Sequence, residues 1–266
     1  MNGSSELDPH RVQQALVCML FDREYAERVR SHEPLPELRE RERELLRELD
    51  PRALETDDMR RARALHVILD EYPVSAALLG IDTVDQYFSS AEFRACVFDR
   101  GSMALSFGER WLGDRTAGIG TIEAGLARAR REPRAALRES TDLIGRAPGV
   151  IPLRVPEKTL AWYRRARERL GVEPLQTLLG LRKPWPQKPP RHGEEHLLIE
   201  PQADGSLGLA SASQALVELL RAAERPRPRV ELASAAIELG AEPHEAEELL
   251  AELLAEGLLC ERRPSP

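Results

Sequence analysis

The sequence predicts a mainly α-helical protein, with an N-terminal helical bundle followed by a small α+β, winged-helix-like domain. Three observations predict it. Ala, Leu, Arg and Glu dominate while aromatic residues make up only 5% of the chain, a balance that favours helices over sheets. Apolar residues recur at helical spacing through most of the length. The exception is "HLLIEPQADGSLGLAS", His196 to Ser211, where apolar runs flank Pro201 to Gly205 and read as two strands and a turn.

Taken in order, the first element opens with Asp8 as N-cap and Pro9 at the first helical position. Val12, Ala15, Leu16, Met19, Leu20, Ala26 and Val29 then form an apolar stripe. "PLPELRERERELLRELD" (34–50) sets Leu38, Leu45, Leu46 and Leu49 against a dense charge run that reads as a solvated face. From Asp57 to Tyr72, Met59, Ala62, Leu65, His66 and Leu69 make a third stripe, with His66 as a core residue. Pro73 restarts the helix and Gly80 ends it. Ser90 caps "AEFRACVFD", and "GSMALSFGERWLG" and "TIEAGLARARRE" supply two more helices. Residues 1–145 therefore read as an all-helical bundle.

Residues 146–190 read as a connector. A short strand, Val150 to Val155, is placed to pair with the later hairpin and precedes a helix. Four prolines within 184–190 then impose an extended tether, which Trp185 pins to a domain surface. Residues 191–266 form the second domain: hairpin strands at 196–200 and 206–210, then three amphipathic helices and an extended tail "LLCE". Ser211 or Ser213 caps the first of these helices.

Charge and chemistry narrow the function classes. Residues 191–266 hold 7 Lys and Arg against 15 Asp and Glu, a net charge of about −8. Such a surface repels a phosphate backbone, and the last helix offers no Lys or Arg to read bases, so DNA binding is disfavoured. Cys18, Cys96 and Cys260 are far apart and suit core positions, and "HGEEH" (192–196) lies in a stretch unsuited to a helical metal site. "TAGIGTIEAG" (116–125) lacks the ending of a phosphate loop. No catalytic constellation and no metal ligand set is expected. The chain lacks an apolar run near the ~20 residues of a membrane span, and a cytoplasmic location is expected. An extended peptide added along "SLGLAS" is the activity the hairpin suits. There Gly208 permits close approach of another backbone while Leu207 and Leu209 share one face.

The stretches "VCMLFDREYAERVR" (17–30), "VILDEYPVSAALLGIDTVDQYF" (67–88) and "SFGERWLG" (106–113) resemble a known family. They are similar to the helical domain of HvfC-type partner proteins of multinuclear non-heme iron-dependent oxidases. "APGVIPLRVPEKTLAWY", the proline tether and the hairpin resemble the second half of such partners, a PqqD-like winged-helix module that recognises the leader of a ribosomally made precursor peptide. The resemblance implies a non-catalytic adaptor that forms a heterodimer with the oxidase, the iron residing in that enzyme and no cofactor in this chain. It places peptide binding at Ser206, Leu207, Gly208, Leu209 and Ala210, with Leu249 and Leu253 on the facing helix. A winged-helix transcriptional regulator is the alternative reading, and a standalone enzyme the least favoured.

Overall fold

The computed structural model describes residues 7–55, 58–132 and 143–262. The helical run comprises α1 (Pro9–Phe21), α2 (Arg23–Arg30), α3 (Glu40–Arg47), α4 (Pro51–Glu55), α5 (Asp58–Glu71), α6 (Pro73–Leu79), α7 (Ile81–Asp85), α8 (Ala91–Phe98) and α9 (Met103–Ser106). A π-helical turn, Phe107–Leu112, leads on to α10 (Gly118–Arg131). Then come β1 (Leu143–Arg146), β2 (Ile151–Val155), α11 (Thr159–Leu170), α12 (Pro174–Leu179), β3 (Glu195–Pro201) and β4 (Leu207–Ser211). The chain ends through α13 (Gln214–Ala222), β5 (Arg227–Pro228), α14 (Arg229–Glu238), α15 (Ala246–Ala255) and β6 (Leu259–Arg262). The protein is thus mainly helical with two small three-stranded antiparallel sheets, ordered β5-β1-β6 and β2-β3-β4.

Two compact units divide the chain differently from the expected boundaries at 145 and 190. One takes the chain to Thr116 together with Arg167–Gln187, the other Ala117–Ala166 together with Lys188–Pro266. The physical reason is sheet pairing: β1 and β2 find their partners far down the chain, and α10 packs on β2 and β3. Leu143 to Gly145, expected within an all-helical bundle, are therefore strand.

The first unit shows the local signals at work. Asp8 Oδ1 accepts from the His10 and Arg11 N–H groups at 3.0 and 3.3 Å, and Ser90 Oγ from Phe93 N–H at 3.1 Å. Gly80 closes α6 at φ +83°, where Pro184 of the tether lies so close that a Cβ would meet its ring. Trp185 is 7% exposed, donates its backbone N–H to the Ala77 carbonyl at 2.8 Å and lies under the Arg169 guanidinium, so the tether is pinned as expected. Tyr72, Tyr87, Phe88, Phe93, Phe107 and Trp111 form an interlocked aromatic cluster. Its polar tips are satisfied, Tyr72 Oη by the Ala104 carbonyl and Tyr87 Oη by that of Met103.

Two expected stripes are corrected. In α3, Leu45 is 42% exposed, whereas Glu42 and Arg43, assigned to a solvated charge run, are buried. Glu42 accepts from the Asp8 and Arg39 N–H groups. Arg43 donates to the carbonyls of Arg28, Val29 and Ser31 at the C-terminal end of α2, where a helix lacks intrahelical donors. In α5, Leu69 is buried as expected, but Met59 is 59% exposed and His66 is exposed, and Ile68 joins Leu69 on the buried face in their place. Asp57, the expected start of that helix, lies outside the described residues, as do the first six residues.

In the second unit the sheet β2-β3-β4 is covered on both faces. Gly125 of α10 lies against Ile199 and Leu153, and Gly118 against Pro156 and Val155, so close that either Cβ would clash. Gly118 and Gly125 of "TAGIGTIEAG" thus seat a helix on a sheet. On the opposite face Leu198 joins Leu219, Leu220, Leu232, Leu250 and Leu253 in the core beneath α13, α14 and α15. Glu132, at the end of α10, receives Arg146 Nη1 and Nη2 at 3.0 and 2.6 Å and the Gly149 N–H at 2.8 Å, which ties α10 to β1 and its following turn.

Burial raises the Glu132 carboxyl, but the Arg146 guanidinium and the Gly149 N–H outweigh it and hold the group below the usual carboxylate range. A depressed folded value means that this contribution is complete above the ordinary carboxylate range and is lost as pH falls through the folded value. Glu132→Gln is expected to cost about 1–3 kcal/mol in neutral denaturant titrations, the gap to wild type narrowing in acid. A gap unchanged by acid would contradict this. An isolated 191–266 fragment loses β2, one of the two partners of β3, and β1, the partner of β6, and should melt without a cooperative transition, because a lone hairpin is marginal in water. A sharp calorimetric transition would show the opposite.

Candidate functional site

The expected hairpin forms, with Glu200 opposite Gly208 and Ile199 opposite Leu209. Gly205 makes the turn at φ +83°, and the Gln202 N–H bonds the Ser206 carbonyl at 2.8 Å. At the other end the Ala212 N–H bonds the His196 carbonyl at 2.9 Å. Antiparallel pairs alternate between exchanging both hydrogen bonds and exchanging none, so these two anchors fix the parity of the strand. Ser206, Gly208, Ala210 and Ala212 turn their backbone groups inward to β3. Leu207, Leu209 and Ser211 turn theirs outward to the free edge.

This parity refines the expectation for "SLGLAS". The outward N–H groups belong to Leu207, Leu209 and Ser211, not to Gly208, whose place above Gln202 marks a close side-chain approach within the hairpin. Leu207 and Leu209 are half-buried and share a face with Ile199, which lies against Gly125 of α10. Among the described residues one outward group on β4 has a protein partner: the Leu209 carbonyl accepts from Arg164 Nη2 at 3.0 Å. The opposite edge of the sheet is blunted. On β2, Pro152 pairs with Leu198, which is inward to β4, so the group Pro152 lacks is an outward donor.

Just past the strand, Ser213 caps α13 by accepting from the Leu216 N–H at 3.2 Å, and it also lines a groove of about 540 Å³. Leu216 and Leu219 of α13, Ala236 and Leu239 at the end of α14, and Leu249 and Leu253 of α15 form its apolar wall. Glu245, Glu248 and Glu252 form its rim, at positions that share one face of α15. Leu249 is half-buried and Leu253 only 5% exposed, so Leu253 also serves the core. The structure therefore brings Leu249 and Leu253 to the groove, while Leu207 to Ala210 lie on the strand that leads to it, Ser206 just before that strand, and none of them lines it. Reading each helix separately missed the α13 and α14 contributions, although the i, i+3 spacing of Leu216 and Leu219 was the available signal.

No protein-family model and no curated protein matches the chain.

Elsewhere the chemistry is quiet. Burial pushes the Cys18 thiol up to about 12 and the Cys96 thiol upward too, so neither supplies thiolate near neutrality. Cys260 is also buried. Among the described residues no three His, Cys, Asp or Glu side chains gather as a metal ion would need, and no helix is long and apolar enough to cross a membrane. His196 of "HGEEH" sits in β3, its Nε2 buried without a hydrogen-bond partner and 3.8 Å from Glu194.

The parity yields a discriminating pair of substitutions. Ser211→Pro removes an outward donor and leaves the ladder intact, so stability should stay within about 0.5 kcal/mol of wild type. Gly208→Pro removes an inward donor and should cost about 3 kcal/mol or more, read by thermal unfolding. Equal losses would show that the parity is misassigned.

Proposed function

We propose that this chain is a cytoplasmic, non-catalytic adaptor that holds an extended precursor peptide along β4 and presents it to a separate iron-dependent, peptide-modifying oxidase. The observation that carries the reading is the β4 edge. Among the described residues its outward backbone groups are uncapped except at Leu209, it leads directly into an apolar groove, and the opposite sheet edge is blunted by Pro152. Main-chain hydrogen bonds supply grip at such an edge, and neighbouring side-chain pockets supply selectivity. The motif resemblance to oxidase partner proteins supplies the identity of the enzyme, and the helical first unit is the part assigned to bind it.

The succession α13-β5-α14-α15-β6 is read here as a winged-helix-like module. Its central strand position is filled by β1 from upstream, since the sheet order is β5-β1-β6. The alternative, a DNA-binding regulator, fits poorly. The helix that would enter the major groove, α15, exposes Glu247, Glu248 and Glu252 and carries no base-reading Arg or Lys.

A tagged pull-down from the native host, followed by native mass spectrometry and an iron assay, tests the reading. The expected result is an iron-containing oxidase in fixed ratio, with peptide capture that Ser211→Pro weakens about tenfold or more. Recovery of the chain with duplex DNA and no oxidase would overturn it.

A further inference from the structure

The groove beside the strand is lined by apolar side chains along its wall and by carboxylates along its rim, and the rim is not neutralised. Among the described residues Glu248 and Glu252 meet no basic side chain. By contrast Glu247, on the flank of α15 away from the groove, is paired with Arg229 at 2.7 Å. Among the described residues Glu245 has only the exposed His244, at 3.8 Å. Carboxylates that share a helix face repel one another, and a cation arriving beside them removes that repulsion.

We infer that this groove takes a short, basic, amphipathic segment of the bound peptide, its apolar side chains on Leu216, Leu239 and Leu249 and its Lys or Arg residues on Glu245, Glu248 and Glu252. The inference rests on the peptide-binding reading and adds the class of peptide selected. A second copy of the chain is a poor occupant, because residues 191–266 carry about −8 and would bring acidic rim to acidic rim. An acidic segment meets the same repulsion. A basic one gains attraction at the rim while its apolar side chains leave water on the wall.

The test uses the full chain and two fluorescein-labelled probe peptides, one with Leu and Lys at helical spacing and one with each Lys replaced by Glu. Binding is read by anisotropy at about 0.15 M salt, where long-range attraction is largely screened. The Lys probe should bind at least tenfold tighter than the Glu probe. Glu248→Lys with Glu252→Lys should abolish that preference, whereas Glu231→Lys with Glu256→Lys, exposed positions of equal charge outside the groove, should change it less than threefold. Equal loss in both pairs would mean that net charge alone is being read, and no preference in the wild type would mean that the rim selects nothing; either overturns the inference. Ser211→Pro should leave probe binding unchanged while weakening capture of the native peptide. Failure of the groove and failure of the strand edge are therefore read separately.

Discussion

The pairing of β2 with β3 is the contact on which the second unit depends. Five residue pairs, from Ile151 with Ile199 to Val155 with Glu195, join segments forty or more positions apart. Without them the hairpin is an isolated two-stranded ribbon, which water does not support on its own. With them, Leu153, Leu197 and Ile199 become one apolar face that can receive α10, and Leu198 on the opposite face can join the core below α13 to α15. The glycines of α10 follow from this. A helix resting on branched side chains of a sheet needs positions where the backbone itself makes the contact, and Gly118 and Gly125 are those positions.

The same pairing decides which edge is open. Once β3 is central, β2 and β4 are the two edges, and the two differ chemically. Pro152 deprives β2 of an outward donor, a common device against unwanted pairing. On β4 the blocking is slight and reversible, since a single Arg164 guanidinium occupies a single carbonyl at an exposed position. Open and closed edges on one sheet give it a direction in which to grow.

Punctuation was the legible part of the sequence. Asp8 with Pro9, Ser90, Pro73 with Gly80, and Ser213 each act through groups within a few residues, so local sequence suffices to place them. The hairpin and its pairing with the strand after Val150 were legible for a related reason, since alternation is a local pattern. What remained hidden was set by distant partners. Arg43 is buried because α2 ends beside it with carbonyls to satisfy, and no reading of "RERERELLR" contains that fact. The exposed positions of Met59 and His66 came from a small error in the angular position of the α5 stripe, which only its neighbours fix. The outward set Leu207, Leu209 and Ser211 depends on hydrogen-bond parity. Parity is a property of the pair of strands and not of "SLGLAS".

Parity also bears on how strongly the proposed edge could hold a peptide. Three outward residues offer few main-chain hydrogen bonds, and each such bond contributes about 0.5–1.5 kcal/mol net. Part of that gain is consumed in ordering a flexible chain, so the edge alone supports weak and sequence-tolerant docking. Selectivity must then come from side chains, and the groove beyond Ser213 is where they are available, with apolar groups to anchor and carboxylates to discriminate. Weak docking suits delivery to a second protein. In the proposed adaptor role, a peptide tethered beside an enzyme would experience an effective concentration of about millimolar, which makes tight binding unnecessary, and rapid release would free the chain for the next peptide.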